Sequence, residues 1–134
     1  MKILIMGIPD SDRIALAQAL KHKLIELGRT VDWYNFDHSN DRNFGDWGQI
    51  EQAALYMRKL ANASESDFVI CDFVAATHKI RDNFAADYTV WVDTIQENEY
   101  ADTNQIFEKP KTFNTRIAVC NLDFWVDFIV NQLQ

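Results

Sequence analysis

Five short apolar runs alternate along the chain with longer stretches of helical periodicity. Lys2–Met6 is apolar at every position after its first, the pattern of a strand buried on both faces. A polar turn, Gly7-Ile8-Pro9-Asp10-Ser11, leads into a segment with Ile14, Ala17, Leu20, Leu24 and Leu27 at close to helical spacing. Gly28 suits the left-handed position that closes such a helix. Thr30–Phe36 mixes β-branched and aromatic residues and predicts the second strand. Asp37–Gly48 concentrates loop formers and is too long for a simple connector. A second helix is predicted from about Gln49 to Asn62, with Ile50, Ala53, Ala54, Met57 and Leu60 on one face.

Phe68–Asp72, Tyr88–Val92 and Thr115–Val119 read as the third, fourth and fifth strands. A short helix is predicted over Thr77–Phe84. A closing one over Asn121–Leu133 carries the stripe Leu122, Trp125, Ile129 and Leu133. Strands apolar on both faces, most of them separated by a helix, predict a three-layer α/β domain: a five-stranded parallel sheet covered by helices on both faces. No repeat, linker or low-complexity segment interrupts it, so residues 1–134 are expected to form a single domain.

Composition narrows the class. At 134 residues the chain is long enough for a buried core without metal or disulfide staples. Hydrophobic residues at 48% and charged residues at 25% exclude a disordered chain or a membrane protein, and Ile3–Met6 is too short to span a bilayer. Thirteen Lys and Arg against twenty Asp and Glu leave a net charge of −7, which argues against broad nucleic-acid binding. Cys71 and Cys120 lie in separate apolar segments and suit a reduced compartment better than a disulfide framework. The expectation is a cytoplasmic protein with neither nucleic acid nor membrane as partner.

In such a sheet ligands bind beyond the carboxyl ends of the strands. The loops of interest are therefore Gly7–Ile14, Asp37–Trp47, Asp72–Arg81 and Asp93–Tyr100. The first has the position and length of a phosphate-binding loop, whose pattern is Gly, four residues, Gly, Lys, then Ser or Thr. The backbone N–H groups of that loop hold phosphates, its Lys neutralises their charge and its hydroxyl holds magnesium. Gly7 is present, but Asp12, Arg13 and Ile14 occupy the other three positions, and Asp10 adds a second acid.

On these residues the chain resembles the adenylylsulfate kinases, P-loop enzymes that phosphorylate the 3′-hydroxyl of adenylyl sulfate, and in particular short kinase-like forms. The likeness runs from Lys2 to about Phe107. Val31–His38 (VDWYNFDH) looks like the strand leading into the family's Asp-Gly-Asp-Asn motif, with Asp37 and His38 on its last two positions. Ile70–Arg81 (ICDFVAATHKIR) looks like its Phe-Ile-Ser-Pro segment and the arginines beyond, and Val92-Asp93-Thr94 matches the Val-Asp-Thr before its lid. The resemblance implies a P-loop-kinase-like fold. It also implies that Gly7, Ser11 and Arg13 hold the donor phosphates and that Asp37 orients or deprotonates the acceptor hydroxyl. Phe73 would stack the adenine, and Arg81 and His38 would bind the rest of an adenylyl-sulfate-like nucleotide. ATP and magnesium are the cofactors of an active form, an inactive one requires neither, and the family leaves a homodimer open.

The departures bear on activity. Asn35 and His38 replace Asp and Asn in the second motif, Ala75-Ala76 replaces Ser-Pro, and the lid shrinks to Ala101–Lys111. An Asp about 5 Å from a phosphate charge costs roughly 3 kcal/mol at an effective dielectric near 20. Ile14 cannot ligate a metal, and the fork of Arg13 differs from a lysine point charge. These residues favour a decayed phosphate loop, either inactive or altered in what it binds, over an active ATP-dependent kinase. A third reading is a receiver- or flavodoxin-like signalling module with Asp10, Asp12 and Asp72 as an acid cluster, although Gly7-Ile8-Pro9 intervenes after the first strand. Simpler roles stand beside each assignment. Asp10, Ser11 and Asp12 suit helix capping, Phe73 and the four tryptophans suit the core, and Cys71 suits a small buried hydrophobe. His22, His38 and His78 show no metal-ligand spacing, so no resident metal is expected.

Overall fold

The apolar run of β1 (Lys2–Met6) has no exposed position, and its alternation sends successive side chains into two different cores. The structure, a computed structural model, describes residues 1–8, 12–36, 47–94 and 107–134; for residues 47–51 and 53 it describes the backbone alone. After β1 come α1 (Arg13–Glu26), β2 (Val31–Asn35), α2 (Trp47–Ala63), β3 (Phe68–Phe73) and α3 (His78–Phe84). They are followed by β4 (Tyr88–Val92), β5 (Thr115–Ile117) and α4 (Leu122–Leu133). The five strands form one sheet in the order β2-β3-β1-β4-β5, with every neighbouring pair parallel.

Ile3 and Ile5 join Ile70, Val90, Val92 and Ile117 beneath Leu16, Leu20 and Leu24 of α1 and Val126, Ile129 and Val130 of α4. On the opposite face Leu4 and Met6 join Val69, Cys71, Phe73 and Trp91 beneath Met57 and Ala61 of α2 and Ile80 and Phe84 of α3. A parallel sheet with helices on both faces is the arrangement expected from its doubly apolar strands. β3 is buried throughout, whereas β2, at the sheet's edge, is only half-buried. No described helix is long and apolar enough to cross a membrane.

The helical faces differ in detail from the expected stripes. Leu16 and not Ile14 faces the core, and Ile14 and Leu27 are exposed. The reason is angular: at about 100° per residue, Arg13 lies on the same side of α1 as Ala17, Leu20 and Leu24, and Ile14 is displaced by a quarter turn or more. The first helical residue therefore points inward. At the other end Gly28, with φ of +82°, donates its N–H to the Ile25 carbonyl and Arg29 donates to that of Leu24, the double closure that a left-handed residue permits. Asp12 precedes α1 without its side chain capping the helix, contrary to the capping role open to it, while Thr77 accepts from the Ile80 N–H at the start of α3. β5 stops at Ile117, two residues short of its expected end, and Val119 is exposed. In α4 Val126, Ile129 and Val130 are the buried residues; Leu122, Trp125 and Leu133 pack at the margin.

These faces make opposite demands of two neighbouring leucine-sized residues. Leu20→Ala, at a fully buried position, is expected to lower unfolding stability by about 2–5 kcal/mol. Ile14→Ala should cost under about 1 kcal/mol in the same urea titration. Equal losses would contradict the assigned face of α1.

Candidate functional site

Register brings the carboxyl ends of the strands level, with Asn35 opposite Asp72, Met6 opposite both Phe73 and Trp91, and Val92 opposite Ile117. Gly7 and Ile8, Phe36, Val74–Ala76, Asp93 and Thr94 continue from that edge. Strand parity then decides which side chains meet. On β3, Cys71 and Phe73 turn toward α2 and α3, so Asp72 turns toward α1. On β2, Val31 and Trp33 share the α1 side, and Asn35 follows them.

Asp72 is completely buried and hydrogen-bonded from three directions. One oxygen, Oδ1, accepts from Arg13 Nη1 at 3.1 Å and from Asn35 Nδ2 at 2.7 Å; Oδ2 accepts from the indole Nε1 of Trp33 at 2.6 Å. The Asp72 carbonyl also accepts from the Phe36 N–H at 3.1 Å. Arg13 is 2% exposed, so the pair is shielded from water on both sides. A buried carboxylate needs such partners, because desolvating it costs several kcal/mol. The Asn at position 35 has a physical reason here. An Asp would set a second negative charge beside Asp72, whereas the amide donates to it.

The β3–α3 loop carries the second cluster. Ala75 adopts a positive φ of 48°, and Arg81 braces the turn by donating from Nε to the Ala75 carbonyl at 2.8 Å and from Nη2 to that of Ala76 at 3.3 Å. The same Nη2 donates to the Glu108 carbonyl, and the guanidinium lies 5.3 Å from the centre of the Phe107 ring. His78 adds contacts to the Glu108 carboxylate at 2.6 Å and the Lys109 carbonyl at 3.1 Å. Burial lowers the Arg81 pKa to about 10, with Glu108 and Asp82 opposing the shift, so the group stays cationic at neutral pH. Its Nη1 is buried with no hydrogen-bond partner among the described residues. On the far side, Arg116 Nε and Nη2 donate to Asp93 Oδ2 at 3.0 and 2.7 Å while the guanidinium covers the Trp91 ring.

The expected site residues divide accordingly. Gly7 follows β1 at the carboxyl edge, and Ser11, Asp37 and His38 lie outside the described residues, as does Asp10. Arg13, expected on donor phosphates, is instead turned inward to Asp72. Phe73, expected as a stacking platform, is 2% exposed with its ring edge-on to Phe84 at 5.6 Å, so no face of it is open to an adenine. Its position on the α2–α3 side of the sheet, under both helices, is the cause. Arg81 is gathered into the loop rather than extended, with Nη1 as its remaining donor. Trp33, Asn35, Glu108 and Arg116 belong to these clusters beyond the expected site residues; the polar ends of alternate β2 positions are the one local signal for the first two. The Cys71 thiol, buried and beside Asp72, is pushed up to about 12 and is inert as a nucleophile.

An ATP–magnesium complex does not fit the described part of this loop. Its cation is engaged by Asp72, Ile14 offers hydrocarbon at the position of the metal-binding hydroxyl, and Asp12 adds negative charge. Among the described residues no three His, Cys, Asp or Glu side chains converge on a point.

No family model matches the chain, and no curated protein matches it in sequence. Solved structures do match in fold. The crystal structure of APE1195 aligns with a TM-score of 0.80 at 12% identity over 99% of this chain and 94% of that one. The Mycobacterium tuberculosis APS kinase CysC in complex with AMPPNP and APS gives 0.68 at 14% identity over 98% and 96%. The shikimate kinase from Aquifex aeolicus vf5 gives 0.66 at 13% identity over 99% and 96%. With the all-parallel five-stranded sheet, these alignments establish a three-layer α/β fold like that of the P-loop kinases.

The buried pair has a measurable signature. Arg13→Ala is expected to cost about 3–5 kcal/mol of stability, because it strands a buried charge. In a cycle with Asp72→Ala the double variant should lose less than the sum of the single losses, by about 0.5–3 kcal/mol. Additive losses in chemical denaturation would show that the two side chains do not depend on each other.

Proposed function

We propose that this chain is an adenylylsulfate-kinase-like protein whose phosphate loop no longer serves ATP, and that it acts by binding a nucleotide-like anion rather than by transferring phosphate. The observation that carries the reading is the Arg13–Asp72 pair. In a working phosphate loop the cation at this position must be available to the nucleotide. Here, drawing Arg13 toward a phosphate would take a cationic partner from the buried Asp72, and would oppose binding by a large part of a buried pair's disruption cost. Asp12 and Ile14 add to the penalty, since neither replaces the missing glycine and hydroxyl. On the acceptor side, Arg81 is the proposed anion contact, supported by its retained positive charge and its unused Nη1. Asp37 and His38 complete the acceptor site in this proposal by virtue of the motif likeness alone. ATP and magnesium are then not required, the reading places the protein in the cytoplasm, and a homodimer is compatible with it.

Calorimetric titration separates this reading from that of an active kinase. ATP–magnesium should bind no tighter than millimolar, and micromolar affinity would overturn the proposal. Repairing the loop with Asp10→Gly, Asp12→Gly, Arg13→Lys and Ile14→Thr removes two acids, frees the backbone for close approach and supplies a metal ligand. The repaired protein should gain a melting-temperature rise of several degrees with saturating ATP–magnesium, since a ligand at about 100 times its Kd adds roughly 2.7 kcal/mol. If the variant keeps its circular dichroism spectrum and ATP still fails to stabilise it, Gly7–Ile14 is not a lapsed phosphate loop.

A further inference from the structure

A cleft between α2 and α3 lies on the face of the sheet opposite the Arg13–Asp72 pair. Its Phe84 end lies toward the amino ends of the strands, where Lys2, the first residue of β1, donates from Nζ to the Phe84 carbonyl at 2.9 Å. None of the carboxyl-edge residues discussed above lines it. Its floor is apolar and buried, formed by Ala54, Ile80 and Phe84, and Leu55 forms part of the rim. The Phe84 ring packs edge-on to Phe73 at 5.6 Å. The cavity measures about 180 Å³. An apolar cavity of about 150 Å³ accommodates benzene, so this one has room for a single six-membered ring.

The charged residues described on the rim are both cations. Arg58 enters from α2 and Lys79 from α3, and Asn83 adds an amide one turn beyond Lys79. Among the described residues neither cation makes an ion pair or hydrogen bond, and none of those that line the cleft is an acid. Asp82, three residues beyond Lys79, does not pair with it. In a chain with twenty acids and thirteen Lys and Arg, two unpaired cations from separate helices bordering one apolar cavity form a specific arrangement. A ring fills the floor, and an anionic oxygen group at the mouth meets both cations and the amide.

We infer that the α2–α3 cleft is a binding site for a small aromatic anion, one ring bearing a phosphate or carboxylate group. The site is separate from the one under Proposed function and does not depend on it.

Titration of the isotope-labelled protein followed by amide NMR tests the inference, with phenyl phosphate, benzoate, benzyl alcohol and inorganic phosphate as probes. At least one of the two aryl anions should shift Leu55, Ile80 and Asn83 saturably, and the tighter of the two identifies the preferred group. Benzyl alcohol should bind at least about tenfold more weakly, and inorganic phosphate should leave these amides unmoved. Arg58→Gln and Lys79→Gln alter exposed side chains, so both variants should fold, and each should weaken the aryl anion by about three- to tenfold. The inference is overturned by any of four results: no saturable shift with either aryl anion, equal affinity for benzyl alcohol, the same shifts with inorganic phosphate, or unchanged affinity in both variants. Shifts centred on Gly7 and Ile8 instead would assign the ligand to the carboxyl edge and overturn it too.

Discussion

A carboxylate without access to water is the constraint around which the carboxyl edge of this protein is arranged. Asp72 sits at the end of a strand buried along its whole length, where an unpaired negative charge is prohibitively expensive. Its partners among the described residues include Arg13 from the first turn of α1, and Trp33 and Asn35 from β2. The three interactions tie β2 to β3 at the sheet's edge and fix the start of α1 against both. They hold together side chains that are 59, 39 and 37 residues from Asp72 in sequence.

The same arrangement places a buried ion pair at the carboxyl edge of a P-loop-kinase-like fold. The fold is maintained by two apolar cores on either side of the sheet, neither of which requires a nucleotide. Arg13, bound to an internal acid, ties the start of α1 to β3. A shared fold therefore says little about shared chemistry here, as is general for folds that host many functions. The β3–α3 loop follows the same logic. Arg81 and His78 use their polar atoms to hold the 107–109 segment against the loop, and Glu108 also donates its N–H to the Ala76 carbonyl at 2.7 Å.

Much of the architecture was legible from residue order. The doubly apolar runs at Lys2–Met6, Phe68–Asp72 and Tyr88–Val92 announced a covered parallel sheet, because a strand with water on one face needs polar residues at alternate positions. Gly28 marked the end of α1 because few other residues adopt its positive φ without strain. The inward direction of Arg13 was also present in the pattern, on the same side of the helix as Ala17, Leu20 and Leu24, but a charged residue on an apolar stripe reads as an exception until its partner is known. Phe73 and Arg81 illustrate the opposite case. The family resemblance alone implied ligand contact for them, and the packing of α3 over β3 encloses the ring and engages the Arg81 guanidinium with carbonyls.

The amino-acid sequence by itself determined the class of fold, the places of its strands and helices and the absence of a standard phosphate-binding motif. All of these follow from local periodicity and from which residue stands at a given position. Tertiary structure alone decided the strand order β2-β3-β1-β4-β5, and with it the meeting of Asp72 with Arg13, Trp33 and Asn35 and the cleft between α2 and α3. The physical reason is that pairing and burial join groups distant along the chain. A charge's energy depends on what surrounds it in space, and no window of sequence contains that.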